Sequence, residues 1–520
     1  MSAKRVLSQK HKGKKGLAAF LFSRFFLFGL MVVLQVLMFV FFAYNASVEK
    51  NLNYVIMVLQ FVLIIYIAND KSDPTMKLVW IMFIMFVPAI MMYLYFMLQP
   101  GSLMLKKRLE HINLNSGKYL DPDQNIYNEL QILDKQVSSL TKYVYEKTGC
   151  PVYKNTDVTY LESGEKKYGI LLDELKKAKN FIFLEYFIIE QGEVWDSVLE
   201  VLCEKIREGV EVRVMYDGLC SLSKLPIGYF KKLRELGIKS KPFAPARPFF
   251  TTQQNNRDHR KILVIDGKVA FTGGINLADE YMNIVERFGY WKDTGVMLKG
   301  DAVRSFTLLF LQMWNVTEKN IEGYSRYLNI AIPTPETSDG YVMGYGDDPY
   351  GKERVGESVY LHMINTATKY LHIVSPYLVI DNVMMSSLKF AAKRGVDVKI
   401  IMPGIPDKEY AYCLARTYYA ELIEAGVEIY EFTPGFTHAK MFISDDEKAT
   451  VGTINLDYRS LFLHFEDGCF IYKNKVINRI EEDYQKMLSA SKRVSLMDCR
   501  NRPTYYKICG MLLRLLAPLM

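Results

Sequence analysis

Two histidines and two lysines stand at matching places in this sequence. His259 is followed by Lys261, Asp266, Gly273, Gly274 and Asn276, in the pattern H-x-K-x4-D-x6-G-G-x-N. The same spacing returns at His438, with Lys440, Asp445, Gly452, Thr453 and Asn455. With only 7 histidines in 520 residues, chance is a poor account of two such matches. Positions i and i+2 of a strand face one side, so each histidine emerges beside its lysine. The residues after the lysines, ILVI (262–265) and MFI (441–443), predict that both pairs sit on buried strands. Gly273 and Gly274, and Gly452 with Thr453, are expected to let backbone approach a ligand. Asn276 and Asn455 add amide donors.

Two imidazoles, two ammoniums and two amides around one cavity make an anion site, and a phosphate is the natural occupant. One imidazole can attack phosphorus to give a covalent phosphohistidine. The other can protonate the leaving alkoxide and later deprotonate an incoming hydroxyl. Lysines and amides would carry the charge of the nonbridging oxygens. Such chemistry needs no metal, and neither a HExxH motif nor an acidic cluster suggests one, so no metal and no cofactor are expected. Each histidine needs a carboxylate on its other ring nitrogen. Asp293 (YWKDTGVML) follows the first histidine and Glu466 (HFEDGCFI) the second, with Glu286 and Asp467 as alternatives. Asp266 and Asp445 belong to the motif, and their expected work is to hold the turns after the motif strands. Gly274, Thr453 and Arg459 are weaker candidates for substrate phosphate, whereas Arg257, Arg260 and Lys268 read as solvated charge.

These groups need a scaffold that repeats. FIFLEYFII (181–189), a helical period over 194–208 and the strand GVEVRVMYDG (209–218) precede the first motif. LHIVSPYLV (371–379), a helix over 382–394 and GVDVKIIMPG (395–404) precede the second. Strands alternating with helices, twice over, predict a duplicated α/β domain with a largely parallel sheet and helices on both faces. The halves are placed at 151–317 and 351–495, joined by a loop-like linker over 318–350, after a helical connector at 101–150.

The start of the chain is of another kind. Residues 1–16 form a basic tail, and residues 17–100 read as a membrane region of two to three transmembrane helices. Phe25–Tyr44 is long enough to span a hydrocarbon core of about 30 Å; Tyr54–Ala68 and Leu78–Leu98 follow, with Trp80, Tyr93 and Tyr95 suited to the interface. Basic clusters before the first run and at Lys106–Arg108 both favour the cytoplasm, which three spans cannot satisfy together; the bulk domain is placed there. The apolar tail 496–520 is too short to span, and either packs on the domain or lies in a membrane interface. A net charge of +8 favours an anionic partner. Seven scattered cysteines without a CxxC pair read as reduced thiols.

The motifs His259-Lys261-Asp266 and His438-Lys440-Asp445 resemble the two HKD motifs of the phospholipase D superfamily. The flanks RDHRKILVIDGKVAFTGGINLADEY, YWKDTGV and NLDYRSLFLHFE narrow the resemblance to the bacterial cardiolipin synthases, and the hairpin 54–98 resembles their membrane region. His464 departs from the pattern, where asparagine is expected. The resemblance implies two pseudo-twofold α/β halves sharing one active site, behind N-terminal transmembrane helices. It implies a phosphatidyltransferase of the cell membrane: a phosphatidyl group passes from one phosphatidylglycerol to another through a phosphohistidine, giving cardiolipin and glycerol. Anionic lipid, not nucleic acid, is then the partner. The family suggests His259 as nucleophile and His438 as acid and base; the residues themselves leave the order open, along with hydrolysis or another phospholipid as alternatives.

Overall fold

The structure, a computed structural model, describes residues 50–71, 73–98, 103–116, 119–245, 256–351 and 353–519. The basic tail and the apolar run Phe25–Tyr44 lie outside them. The chain divides into two units, one holding the apolar helices before residue 99 and the other the rest of the fold.

Among the described residues, the first unit holds three helices: α1 (Lys50–Asn69), α2 (Pro74–Phe86) and α3 (Pro88–Leu98). Asp73 caps α2, accepting from the Thr75 and Met76 amides at 2.8 and 3.2 Å, with Pro74 at the first helical position where a missing N–H does no harm. The run expected as one span over 78–98 is broken at Val87, because Pro88 has no N–H to give the Ile84 carbonyl. Gln60 of α1 fills that gap, donating to Ile84 at 3.2 Å. Leu63, Ile67, Ile84 and Tyr95 form a small core. Tyr95, expected at an interface, is buried with its ring edge-on to Trp80 at 5.3 Å. Most large apolar side chains of α1 face outward, among them Val58, Phe61 and Val62. Among the described residues no helix is long and apolar enough to cross a membrane.

In the second unit, α4 (Leu103–Ser116), α5 (Gln124–Leu133) and α6 (Lys135–Thr148) lead into the α/β fold. The first sheet takes β1 (Thr156–Leu161), β2 (Phe181–Tyr186), β3 (Glu211–Asp217), β4 (Lys239–Phe243), β5 (Lys261–Ile265), β6 (Val269–Gly273) and β8 (Gly295–Gly300), in the order β1-β8-β6-β5-β2-β3-β4; β7 (Tyr290–Lys292) stands apart. The second takes β9 (Tyr341–Asp347), β10 (Tyr370–Val374), β12 (Asp397–Pro403), β13 (Glu428–Phe432), β15 (Met441–Ser444), β16 (Lys448–Gly452), β18 (Glu466–Tyr472) and β19 (Ser491–Arg493), in the order β19-β13-β12-β10-β15-β16-β18-β9. Three short strands remain outside it: β11 (Leu378–Val379), β14 (Gly435–Thr437) and β17 (Leu456–Asp457).

The sheets are mixed, which corrects the expectation of a largely parallel one. Within these two large sheets, among the described residues, only β2-β3-β4 and β10-β12-β13 run parallel. Each motif strand instead enters an antiparallel hairpin, β5-β6 or β15-β16. Both hairpin turns carry two successive residues at positive φ, Asp266 with Gly267 and Asp445 with Asp446, a backbone that aspartate and glycine tolerate and branched residues do not. The stretch 318–350, expected as a loop-like linker, contains β9, an edge strand of the second sheet paired along its length with β18.

One apolar core takes residues from both sheets, among them Val264, Ala270 and Val296 of the first and Met441, Ile443 and Val451 of the second. A helix buried almost all round, α7 (Val303–Val316), lies in the same core, so its apolar composition continues on every face. Full burial of each such aliphatic side chain contributes about 1.5–3 kcal/mol. The halves also trade backbone pairs: β14 runs parallel to β7, with Thr437 opposite Lys292, and Asp258 bridges Phe465. Gly435 makes the first exchange possible, since a Cβ there would lie 2.3 Å from the Tyr290 carbonyl oxygen.

Candidate active site

These two exchanges decide which acid meets which histidine. The Phe465 carbonyl accepts from the His259 amide at 2.9 Å, so the next residue, Glu466, lands on His259. The Lys292 carbonyl accepts from the His438 amide at 2.6 Å, so Asp293 lands on His438. His259 Nδ1 lies 2.9 Å from each oxygen of Glu466, and His438 Nδ1 lies 2.7 Å from Oδ2 of Asp293. The expected partners are therefore crossed: the acid after the first histidine orients the second, and the reverse. Nothing in the spacing showed this, because it depends on how the halves are stitched. With Nδ1–H given to the carboxylate, each Nε2 lone pair is left for chemistry.

The alternatives fall away. Asp467 faces the motif strands, accepting from the Lys261 amide at 3.4 Å and from the Thr272 hydroxyl. Glu286 is exposed in the loop before β7. Asp266 accepts from the amides of Lys179, Asn180 and Phe181 at 2.6–2.8 Å, fixing the entry to β2. Asp445 does the same for Thr368, Lys369 and Tyr370 at the entry to β10. Both aspartates thus clamp a neighbouring segment far along the chain, where hold on their own turn was expected. Burial raises the Asp445 carboxyl, but these donors more than offset it and leave it below its usual range.

The lysines point at the histidine backbones: Lys261 Nζ donates to the His259 carbonyl at 2.5 Å, and Lys440 Nζ to that of His438, while also lying 2.9 Å from His438 Nδ1. Burial pushes the two ammoniums down to about 8 for Lys261 and about 7 for Lys440. Burial, then the two lysines, holds both imidazoles well below the ordinary histidine value. An unoccupied site therefore presents neutral imidazoles beside cations, and a phosphodiester anion would raise both by supplying the missing negative charge.

Glycines of the motif serve strand packing more than ligand approach. A Cβ on Gly273 would lie 2.4 Å from Gly295 Cα, and one on Gly452 2.5 Å from the Asp467 carbonyl oxygen. Gly274 sits against the acid, where a Cβ would be 2.1 Å from Asp293 Oδ1. Its counterpart Thr453 donates its hydroxyl to Glu466 Oε2. Asn276 accepts from the Ile188 amide at 3.0 Å and donates to Tyr281 Oη at 2.8 Å, which commits one of its two amide hydrogens within the fold. Asn455 keeps a buried side-chain oxygen without a partner. Arg459 is half-buried, and its charge acts on His464 and Asp457. Arg257 and Arg260 are buried, not solvated: Arg257 pairs with Asp217 at 2.9 Å, and Arg260 donates to the Glu466, Leu309 and Asp347 carbonyls.

Several groups near the histidines carried no sequence signal. Phe187 lies edge-on to His259 at 4.7 Å, and Tyr281 to His438 at 5.5 Å. Lys167 is buried, donates to the Ile275 carbonyl at 3.1 Å, and is pushed down to about 7 by burial. Lys408 adds positive field at both histidines. His464 was noted only as a departure; its ring centre is 5.6 Å from that of His259, both nitrogens lack hydrogen-bond partners, and burial holds it at about 4. His259, His464 and Glu466 could each turn one ligand atom to a point within 4.8 Å of the others. A cation fits poorly there, because Glu466 is taken by His259 and Thr453 and two ammoniums oppose it. A cavity of about 520 Å³ elsewhere, lined by Arg213, Arg234, Trp314 and Glu322, holds none of the motif residues.

Comparison with known proteins gives this arrangement a setting. Residues 171–314 and 360–488 match the family model "Cardiolipin synthase, PLD-like domain", and residues 58–99 match "Phospholipase_D-nuclease N-terminal". A protein of Streptococcus mutans serotype c, described as uncharacterized, is 47% identical over 88% of this chain and 99% of its own length. A cardiolipin synthase of Halalkalibacterium halodurans is 34% identical over 88% of this chain and 91% of its own. Among solved structures, phosphatidylserine synthase of Haemophilus influenzae superposes with a TM-score of 0.54 at 13% identity, over 70% of this chain and 93% of that one, a likeness of fold.

Proposed function

We propose that this chain makes cardiolipin from two phosphatidylglycerol molecules, and the premise is its family: it belongs to the phospholipase D superfamily, in the cardiolipin synthase branch. The observation that carries the reading is the pair of crossed carboxylate–imidazole contacts beside two buried lysines, in a chain whose two halves both match that branch. His259 is the nucleophile in this reading. Glu466 holds its Nδ1–H with both oxygens, which raises the basicity of Nε2. That nitrogen attacks phosphorus, the P–O bond to glycerol breaks, and His438 protonates the leaving oxygen. The phosphatidyl group then rests on His259. The terminal hydroxyl of a second phosphatidylglycerol gives its proton to His438 and attacks phosphorus, releasing His259 and cardiolipin. Lys261 and Lys440 bear the charge of the nonbridging oxygens throughout.

The same reading makes the chain an integral membrane enzyme of several spans, with the catalytic unit on the cytoplasmic side. Outward apolar side chains on α1 and the match of residues 58–99 support it, as does a substrate that stays in the bilayer. The test is to incubate purified protein with phosphatidylglycerol in detergent micelles and follow lipids by mass spectrometry. Cardiolipin and glycerol are expected in equal amounts; phosphatidic acid alone would establish hydrolysis instead.

A further inference from the structure

The last long helix of the second unit is amphipathic in the wrong sense for a helix packed only on protein. Label as α8 the helix Glu409–Glu424 and as α9 the helix Thr504–Leu516. The face of α9 that meets α8 is small and polar. Gly510 packs so close that a Cβ would lie 2.5 Å from Thr417 Cγ2, the Tyr506 carbonyl accepts from Cys413 Sγ at 3.2 Å, and Arg514 stacks over Tyr418 at 4.5 Å. The opposite face carries Tyr505, Ile508, Met511, Leu512 and Leu515, which are 67, 53, 68, 62 and 44% exposed. These positions fall within one third of the helical circumference. Water is a poor partner for such a stripe, and about 20 Å of helix cannot cross a bilayer of about 30 Å.

We infer that α9 lies in the plane of a membrane surface, with this stripe among the acyl chains of anionic lipid. Charge chooses the occupant. After Asp498 the charges are basic: Arg500 and Lys507 are exposed, while Arg502 and Arg514 turn to α8, where Arg514 lies 3.7 Å from Glu421. Basic residues near an anionic surface favour binding to it, and an apolar face flanked by such residues is the pattern of an interfacial helix. A protein partner or a second copy would bury the stripe equally well but gives no reason for the exposed Arg500 and Lys507 at its start. The inference uses the phospholipid reading only in naming the lipid.

The experiment places a benzoylphenylalanine photo-crosslinker at Leu512 of the full chain, in vesicles of equal phosphatidylglycerol and phosphatidylcholine, with Glu200, exposed on another helix, as control site. On irradiation, Leu512 is expected to give a lipid adduct by mass spectrometry at least tenfold above the control. In pure phosphatidylcholine the yield falls severalfold. A chain-to-chain or intrachain adduct in place of lipid overturns the inference, and so does equal yield in neutral vesicles. A His259→Asn chain gives the same adduct, so failure of docking and failure of catalysis are read separately.

Discussion

The two halves of the site use one plan with unequal parts. His259 meets a carboxylate that offers both oxygens and is itself gripped by the Thr453 hydroxyl. His438 meets one oxygen of Asp293, whose flank is the bare Gly274, with the Lys440 ammonium 2.9 Å from the same Nδ1. Burial raises the Asp293 carboxyl to about 6. A nucleophile profits from a carboxylate that never lets go. An acid–base group must change charge twice per turnover and profits from a looser hold. Duplication supplied the scaffold, and in the proposed reaction the residue after the first motif glycine, Gly274 in one copy and Thr453 in the other, would separate the roles.

That comparison can be broken directly. Glu466→Gln should lower kcat by about 10³–10⁴-fold, the loss seen when a histidine's carboxylate partner is neutralised. It should abolish accumulation of phosphorylated enzyme, whereas Asp293→Asn should slow turnover comparably yet let the intermediate form and persist. Trapping with radiolabelled lipid in acid-quenched samples decides; intermediate in Glu466→Gln alone would exchange the roles of the histidines. Thr453→Ala should cost a smaller factor, about ten- to a hundredfold in kcat, by freeing one oxygen of Glu466 (about 1.5–3 kcal/mol for a hydrogen bond to a charge). Gly274→Ala should instead lower the melting temperature, because its Cβ meets Asp293 at 2.1 Å. A thermal scan beside a rate measurement separates these effects.

The lysines sharpen the comparison with pH. Lys440 titrates near 7 and Lys261 near 8, both below the free value of about 10.4. Activity should decline as pH rises through 7–8, when the ammoniums that hold the phosphoryl oxygens are lost. Stability moves the other way: in that interval the unfolded chain binds more protons, so the burial penalty is present below the folded values and is relieved as pH rises towards 10. Lys440→Arg, which cannot lose its proton, should flatten the descending limb of the rate profile. The smallest effect is expected for His464→Asn, within fivefold in kcat, since that ring holds no hydrogen bond.

Much of this site was legible because identical spacing exposes a duplication. His259, Lys261, His438 and Lys440 and the two acids were all readable as residues. The pairing was not, since it depends on the β7–β14 and Asp258–Phe465 exchanges, which local periodicity cannot carry. The mixed sheets were hidden for a related reason: buried strands look alike whichever way they run. Lys167 and Phe187 reach the site through tertiary packing and left no pattern. That Asn276 also braces the Ile188 backbone was not readable, because a buried amide is as useful to its own fold as to a ligand. The strand at 341–347 was missed among turn-forming residues, although its alternate positions are apolar or aromatic.

The crossed contacts have a consequence for how such a protein can change. Residue 259 and residue 466 belong to different copies of the ancestral unit, as do 438 and 293, so neither copy is a heritable enzyme by itself. A gene severed between the halves would yield two products, each with a histidine deprived of its acid, and each product would be the other's missing cofactor. Drift in one copy is answerable in the other. The duplication that gave this chain two equivalent halves thereby bound them to a common fate while leaving each free to specialise.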